Sequence, residues 1–152
     1  MAAGKWKVYE QAKLDIANGL IDLDSHSFKI NLYLSTSNCN TLSGTTTLAA
    51  LTNQVATAFG YTQSTKAVTI TTANSSGTIT VDETTNPTWT ASGGSITARY
   101  AVIYDDTHAS KQALCVMLLD TTPADVTATT GNTFTITIDA NGLFQISGAT
   151  TD

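Results

Sequence analysis

Residues 95–107 read SITARYAVIYDDT, and the fold turns on how this stretch is interpreted. It gathers an arginine, two tyrosines and two aspartates, which is the raw material of a catalytic site. Period two gives a different reading: Ile96, Ala98, Tyr100, Val102 and Tyr104 face one way, and Thr97, Arg99, Ala101 and Ile103 the other. Apolar residues on both sides mark a strand covered on both faces, at the centre of a sheet. Asp105 and Asp106 then fall where the strand must turn, beside Thr107, and aspartate suits turns. Arg99 is the one member that packing does not explain. An acid on a neighbouring strand or subunit is its expected partner.

Outward from this strand the chain keeps a β pattern. The run SFKINLYL alternates Phe28, Ile30, Leu32 and Leu34 with polar residues and Tyr33, as a half-buried strand does. KAVTITT and GTITVD flank Asn74–Gly77, a hairpin connection. Asn86–Ala91 carries Trp89, and Lys111–Leu119 is apolar on both faces, so it is expected to be a second central strand. NTFTITID and LFQI flank Asp139–Gly142, another expected hairpin. Leu20, Ile21 and Leu23 read as a short strand before a turn at Asp24-Ser25. Residues 35–47 read as an exposed loop, and Leu48–Ala58 equally as a short helix or an ordered loop. Before all of this, KWKVYEQAKLDIA (5–17) spaces Trp6, Tyr9 and Ile16 helically, and Asn18-Gly19 supplies a stop. The sum is a mainly β domain, an antiparallel sandwich or barrel of about eight or nine strands, behind one short N-terminal helix. Residues 1–19 form the helical segment and a candidate docking arm, 20–148 the β domain, and 149–152 a loose tail beyond a loop at 121–130 that holds Pro123.

Composition agrees. Thr supplies 30 of the 152 residues and charged residues only 12%, against roughly 25% in an ordinary domain. Thr is β-branched and favours half-exposed strands, and a weakly charged surface suits lateral contact with other subunits. The net charge of −5 opposes binding through nucleic-acid phosphates. Three of the seven cations, Lys5, Lys7 and Lys13, lie in the first thirteen residues, so the N-terminal end is the one positive patch. Cys39 and Cys115 make no CxxC motif, and Cys115 sits in an apolar run as a small hydrophobe. No signal-peptide core or membrane-length apolar run is present.

The chemistry expected is slight. His108 reads as a turn residue, His26 belongs to no metal-spacing motif, and no acidic cluster follows the calcium-loop pattern. There is no GxSxG elbow and no glycine-rich phosphate loop. No catalytic, metal or cofactor residue is expected, and the chain does not read as an enzyme. Its aromatics carry more weight as core or interface anchors. The candidate interface set is Lys5, Trp6, Lys7, Tyr9, Lys13 and Arg99.

In order and spacing, four pieces resemble a family of small structural proteins of tailed bacteriophages. They are KWKVYEQAKLDIANGLIDLDSHSFKINLYLSTS, LTNQVATAFGYT with KAVTIT, PTWTASGGSITARYAVIYDDT and TITIDANGLFQI. Together they span roughly residues 5–146. Tyr61–Lys66 departs from the pattern, being Thr-rich where relatives often carry Gly-Gly. The resemblance implies a virion component assembled in the host cytoplasm, first of all a capsid decoration (cement) protein bound to the major capsid protein as a homo-oligomer, trimer or dimer. Residues 2–17 or the 35–47 loop would reach across capsid subunits, and removing residues 1–17 would release the protein from heads while its β domain stayed folded. A tail, baseplate or fibre component is the alternative. A carbohydrate-binding sandwich that stacks sugars on Trp89 or the tyrosines is the third. No nucleic-acid or membrane partner is implied.

Overall fold

The computed structural model describes residues 4–44, 46–122 and 124–148. In chain order they form β1 (Lys7–Val8), α1 (Glu10–Ala17), β2 (Phe28–Tyr33), a single 3-10 turn (Leu48–Ala50), β3 (Ala67–Val68), β4 (Ile70–Ser75) and β5 (Thr78–Glu83). There follow β6 (Thr88–Thr90), β7 (Ile96–Ala98), β8 (Tyr100–Asp105), β9 (Ala113–Leu118), β10 (Val126–Ala128), β11 (Thr133–Thr135) and β12 (Phe144–Ser147). The protein is mainly β, with twelve short antiparallel strands in several open sheets among the described residues and no closed barrel.

The main sheet runs β1-β9-β8-β2-β3, with β8 at its centre. Ala101, Val102, Ile103 and Tyr104 are fully buried, and so are Leu114 and Cys115 on β9, as two-sided apolar runs require. Each buried Ile or Leu here contributes about 1.5–3 kcal/mol relative to exposure.

The rest of the β structure is one long folded ribbon. Residues 78–98 run antiparallel to residues 126–147 in three ladders, β5–β12, β6–β11 and β7–β10, with the register slipping between ladders. Past Arg99 the same two runs continue as the β8–β9 hairpin. Thr–Thr pairs bridge the ribbon directly, Thr88 to Thr135 at 3.1 Å and Thr97 to Thr127 at 2.9 Å, one use of the high Thr content. The ribbon folds back on the main sheet through aromatics. Trp89 packs 5.7 Å from Tyr61 and 6.3 Å from Phe134, while the Tyr61 hydroxyl accepts the Leu32 N–H of β2 at 3.0 Å.

Several local expectations are corrected. The strand count rises for two reasons. Two runs change sheet part-way, β3 passing into β4 at Thr69 and β7 into β8 at Arg99. Two strands also form where none was expected: β1 in the helical segment, and β10, which pairs with β7 inside the expected loop 121–130. The helix begins at Glu10, because Lys7 and Val8 pair with Val116 and Cys115, and the Tyr9 N–H bonds Leu114 O. Leu20–Leu23 is no strand. Leu20 and Ile21 both donate to Asp15 O to close the helix, and the Asp22 carboxylate then gathers Asp24 and Ser25 into a turn. The 48–58 segment is the 3-10 turn followed by ordered loop. The Asn74–Gly77 hairpin forms on the two-residue turn Ser76-Gly77, both at positive φ (49° and 82°), the type I′ geometry. Around Asp139–Gly142, however, β11 and β12 pair with β6 and β5 and not with each other. Pro123 and the 149–152 tail lie outside the described residues.

Candidate interaction cleft

The N-terminal segment is laid along the outer edge of β9. Gly4 N–H bonds Leu118 O at 2.8 Å, and a Cβ at Gly4 would lie 3.1 Å from that oxygen, so a small residue permits the approach. Trp6 and Tyr9 are both buried in the chain's own core, and Ala12 of α1 joins them. The Tyr9 hydroxyl donates to Cys39 O. Its burial, together with the nearby Cys39 and Cys115 thiols, pushes its pKa well above the usual phenol range. The segment is therefore a clamped edge strand and helix. Removing residues 1–17 would therefore take Trp6, Tyr9 and Ala12 out of the β domain's own core as well as detaching the segment. Lys5, Lys7 and Lys13 remain exposed along it.

Opposite this segment stands the far end of the ribbon. Between them lies a cleft of two adjoining depressions that share Phe144 and Gln145. The larger, about 760 Å³, has Lys5, Trp6 and Met117 on one wall and Thr137–Asp139 with Asn141–Gln145 on the other. The smaller, about 440 Å³, lies between Val8, Lys13, Ile16 and Ala17 and the strand Phe144–Ser147. The walls carry two edge strands: β1 ends the main sheet, and β12 ends the three-stranded sheet β12-β5-β4. Ile146, 41% exposed, adds apolar surface. The Asp139 carboxyl is held below its ordinary range, first by the Asn141 backbone N–H (2.9 Å) and its side-chain amide, and also by the charge of Lys5 across the cleft. Free strand edges, half-buried apolar side chains and a few charges are what a protein segment needs for docking.

The remaining candidate, Arg99, lies apart from this cleft. Its Nε donates to Asp125 Oδ1 at 2.8 Å, just before β10, so the acid it sought is on its own chain. Its backbone matters as much. Arg99 N–H bonds Tyr33 O at 2.8 Å, and Leu119 N–H bonds Arg99 O at 3.0 Å, fixing the corner between sheets.

Sequence reasoning missed the wall supplied by residues 137–147, because its neighbours are set by the ribbon's return. It also missed the end of β8. The fully buried Asp105 meets His26 Nδ1 at 2.6 Å and accepts the N–H groups of Thr107 and His108, while Asp106 bridges Lys29 (2.7 Å) and Lys111 (2.9 Å). Acids adjoining a turn gave no sign of either partner. Trp89 is 5% exposed and Tyr104 fully buried, with Lys66 Nζ 5.5 Å from the Trp89 ring centroid. Neither ring is placed to stack a sugar. Both cysteines are buried and unpaired, and burial pushes the Cys39 thiol up to about 11.

Among the described residues no group of three potential metal ligands converges, and no helix is long and apolar enough to cross a membrane. Comparison with protein-family models, with curated proteins and with solved structures finds no match.

Proposed function

We propose that this chain is a structural protein of a tailed-bacteriophage particle, bound to the head as a decoration protein. The reading starts from the resemblance spread over residues 5–146. The observation that carries it in the fold is the cleft between β1 and β12, where two strand edges and apolar side chains stand open beside Lys5 and Lys13. A segment of the major capsid protein lying in that cleft would hydrogen-bond to exposed backbone and cover Phe144 and Ile146. Contacts of this kind, repeated over a lattice, resist the outward force of packaged DNA by shared buried area.

The test is biochemical. DNA-filled heads lacking tails are purified and their proteins quantified against the major capsid protein. Comparable copy number supports decoration, whereas presence only on tailed particles assigns the chain to the tail. Absence from both sinks the virion reading. On heads, reversing Lys5, Lys7 and Lys13 to Glu should weaken binding at least about tenfold with the melting temperature unchanged, since all three are surface positions. Undiminished binding would remove the cleft's N-terminal wall from the contact.

A further inference from the structure

We propose that the outer edge of β4 is a seam at which a second copy of this chain pairs antiparallel, joining two three-stranded sheets into one of six. The proposal does not depend on the virion reading. Among the described residues β4 is the longest strand with an unpaired edge, at six residues. Thr71–Ser75 are all exposed, so the end of this sheet stands clear of the body on both faces. Natural edges are usually blunted by a charge, a proline or a bulge. Ile70–Ser75 reads ITTANS and has none of these, and its register with β5 is unbroken from Glu83 to Thr78.

The backbone defines the seam. Thr84 N–H bonds Thr69 O, and Ser75 and Thr78 close the two-residue turn. By alternation, the odd-numbered residues of β4 spend their hydrogen bonds on β5. Ile70, Thr72 and Asn74 therefore turn their N–H and C=O groups outward. A twofold axis at Thr72 sets Thr72 opposite its own copy and Ile70 opposite Asn74, giving about six new backbone hydrogen bonds.

A second copy is the occupant this edge fits. Pairing would place threonine against threonine, the pair the chain already uses at Thr88–Thr135 and Thr97–Thr127. Residues 69–81 contain no charge although the chain carries −5, so two copies approach here without direct repulsion. Ile79 and Ile146, 38% and 41% exposed, lie opposite each other on the face that Thr72 shares with Val81. The twofold brings both copies' isoleucines onto one face of the joined sheet. A single edge buries less than the roughly 1,200 Å² of a stable interface. The pair is thus weak in solution and strengthened where copies are held close together.

The test uses the purified full chain. Sedimentation velocity should show a concentration-dependent dimer with Kd on the order of 100 μM. Thr72→Lys, which opposes like charges across the axis, should weaken it at least about tenfold with an unchanged thermal midpoint. Thr72→Pro removes an outward N–H and should act likewise. Under mild oxidation Thr72→Cys should form a disulfide dimer, whereas Ser76→Cys should not, its copies lying about 25 Å apart. A monomer up to about 1 mM overturns the proposal, as does undiminished pairing of Thr72→Lys, or Ser76→Cys cross-linking as readily as Thr72→Cys. If the chain stays monomeric but Thr72→Lys loses binding to heads, the edge takes another protein's strand and the second-copy assignment fails.

Discussion

Two alanine substitutions at glycines of like conformation separate backbone strain from packing. Phe59-Gly60 and Ser76-Gly77 are the central pairs of two-residue turns, at φ 55° and 89° and at 49° and 82°. Alanine in this left-handed region costs about 1–2 kcal/mol at either glycine. Around Gly77 nothing lies within 4 Å of an added Cβ, so Gly77→Ala should cost only that. A Cβ at Gly60 would lie 2.1 Å from Thr90 O and 3.2 Å from its carbonyl carbon. That carbonyl is backbone, held in β6 by pairing with Thr133. The turn is equally fixed: Ala58 and Tyr61 exchange bonds of 3.0 and 2.9 Å, and Phe59 O accepts Ser92 N–H at 3.0 Å. Relief requires the turn and the ribbon to part, loosening Tyr61 from Trp89. Overpacking of this kind adds about 1–3 kcal/mol, so Gly60→Ala should cost about 2–5 kcal/mol, at least about 1 kcal/mol more than Gly77→Ala. Urea unfolding followed by tryptophan fluorescence measures both variants. If they agree within about 0.5 kcal/mol, the close approach of turn and ribbon is not what holds the two layers together.

Arg99→Leu should cost no more than about 1 kcal/mol, because the ion pair with Asp125 is part-exposed and both backbone bonds at this corner survive the change. A loss above about 2 kcal/mol in the same urea assay would show that the guanidinium holds the corner. Asp106 is kept below its ordinary pKa of 3.8 by hydrogen bonds from Lys29 and then Lys111. A depressed carboxyl stabilises the fold above its unfolded pKa and loses that contribution as pH falls through its folded value. Asp106→Asn should therefore be less stable than wild type at pH 7, with the two converging as the pH falls below the ordinary carboxyl value and through the lowered folded one. Melting curves across that range would refute the assignment if the difference held constant.

The elements legible from sequence were those with unambiguous local patterns. The two-sided apolar runs at 96–104 and 111–119 announced buried central strands, because any surface placement would leave one row of large side chains in water. Asn74–Gly77 announced a hairpin through turn chemistry, and Thr abundance with few charges announced a sheet. The Arg99 partner was anticipated in kind, though not in place.

Tertiary structure decided what depends on which edge is free. Lys7 and Val8 lie in a helically spaced run and became a strand because β9 offered unpaired backbone. Thr69 and Arg99 lie inside continuous β patterns and mark corners only because two sheets need them there. Asp139–Gly142 has hairpin chemistry, yet its flanks pair with β5 and β6. A turn residue fixes local direction and leaves the partner strand open. The sequence of SITARYAVIYDDT thus dictated a buried strand ending in acids. The long-range packing alone set its change of sheet at Arg99, the His26 and lysine partners of its aspartates, and the cleft at the far end of its ribbon.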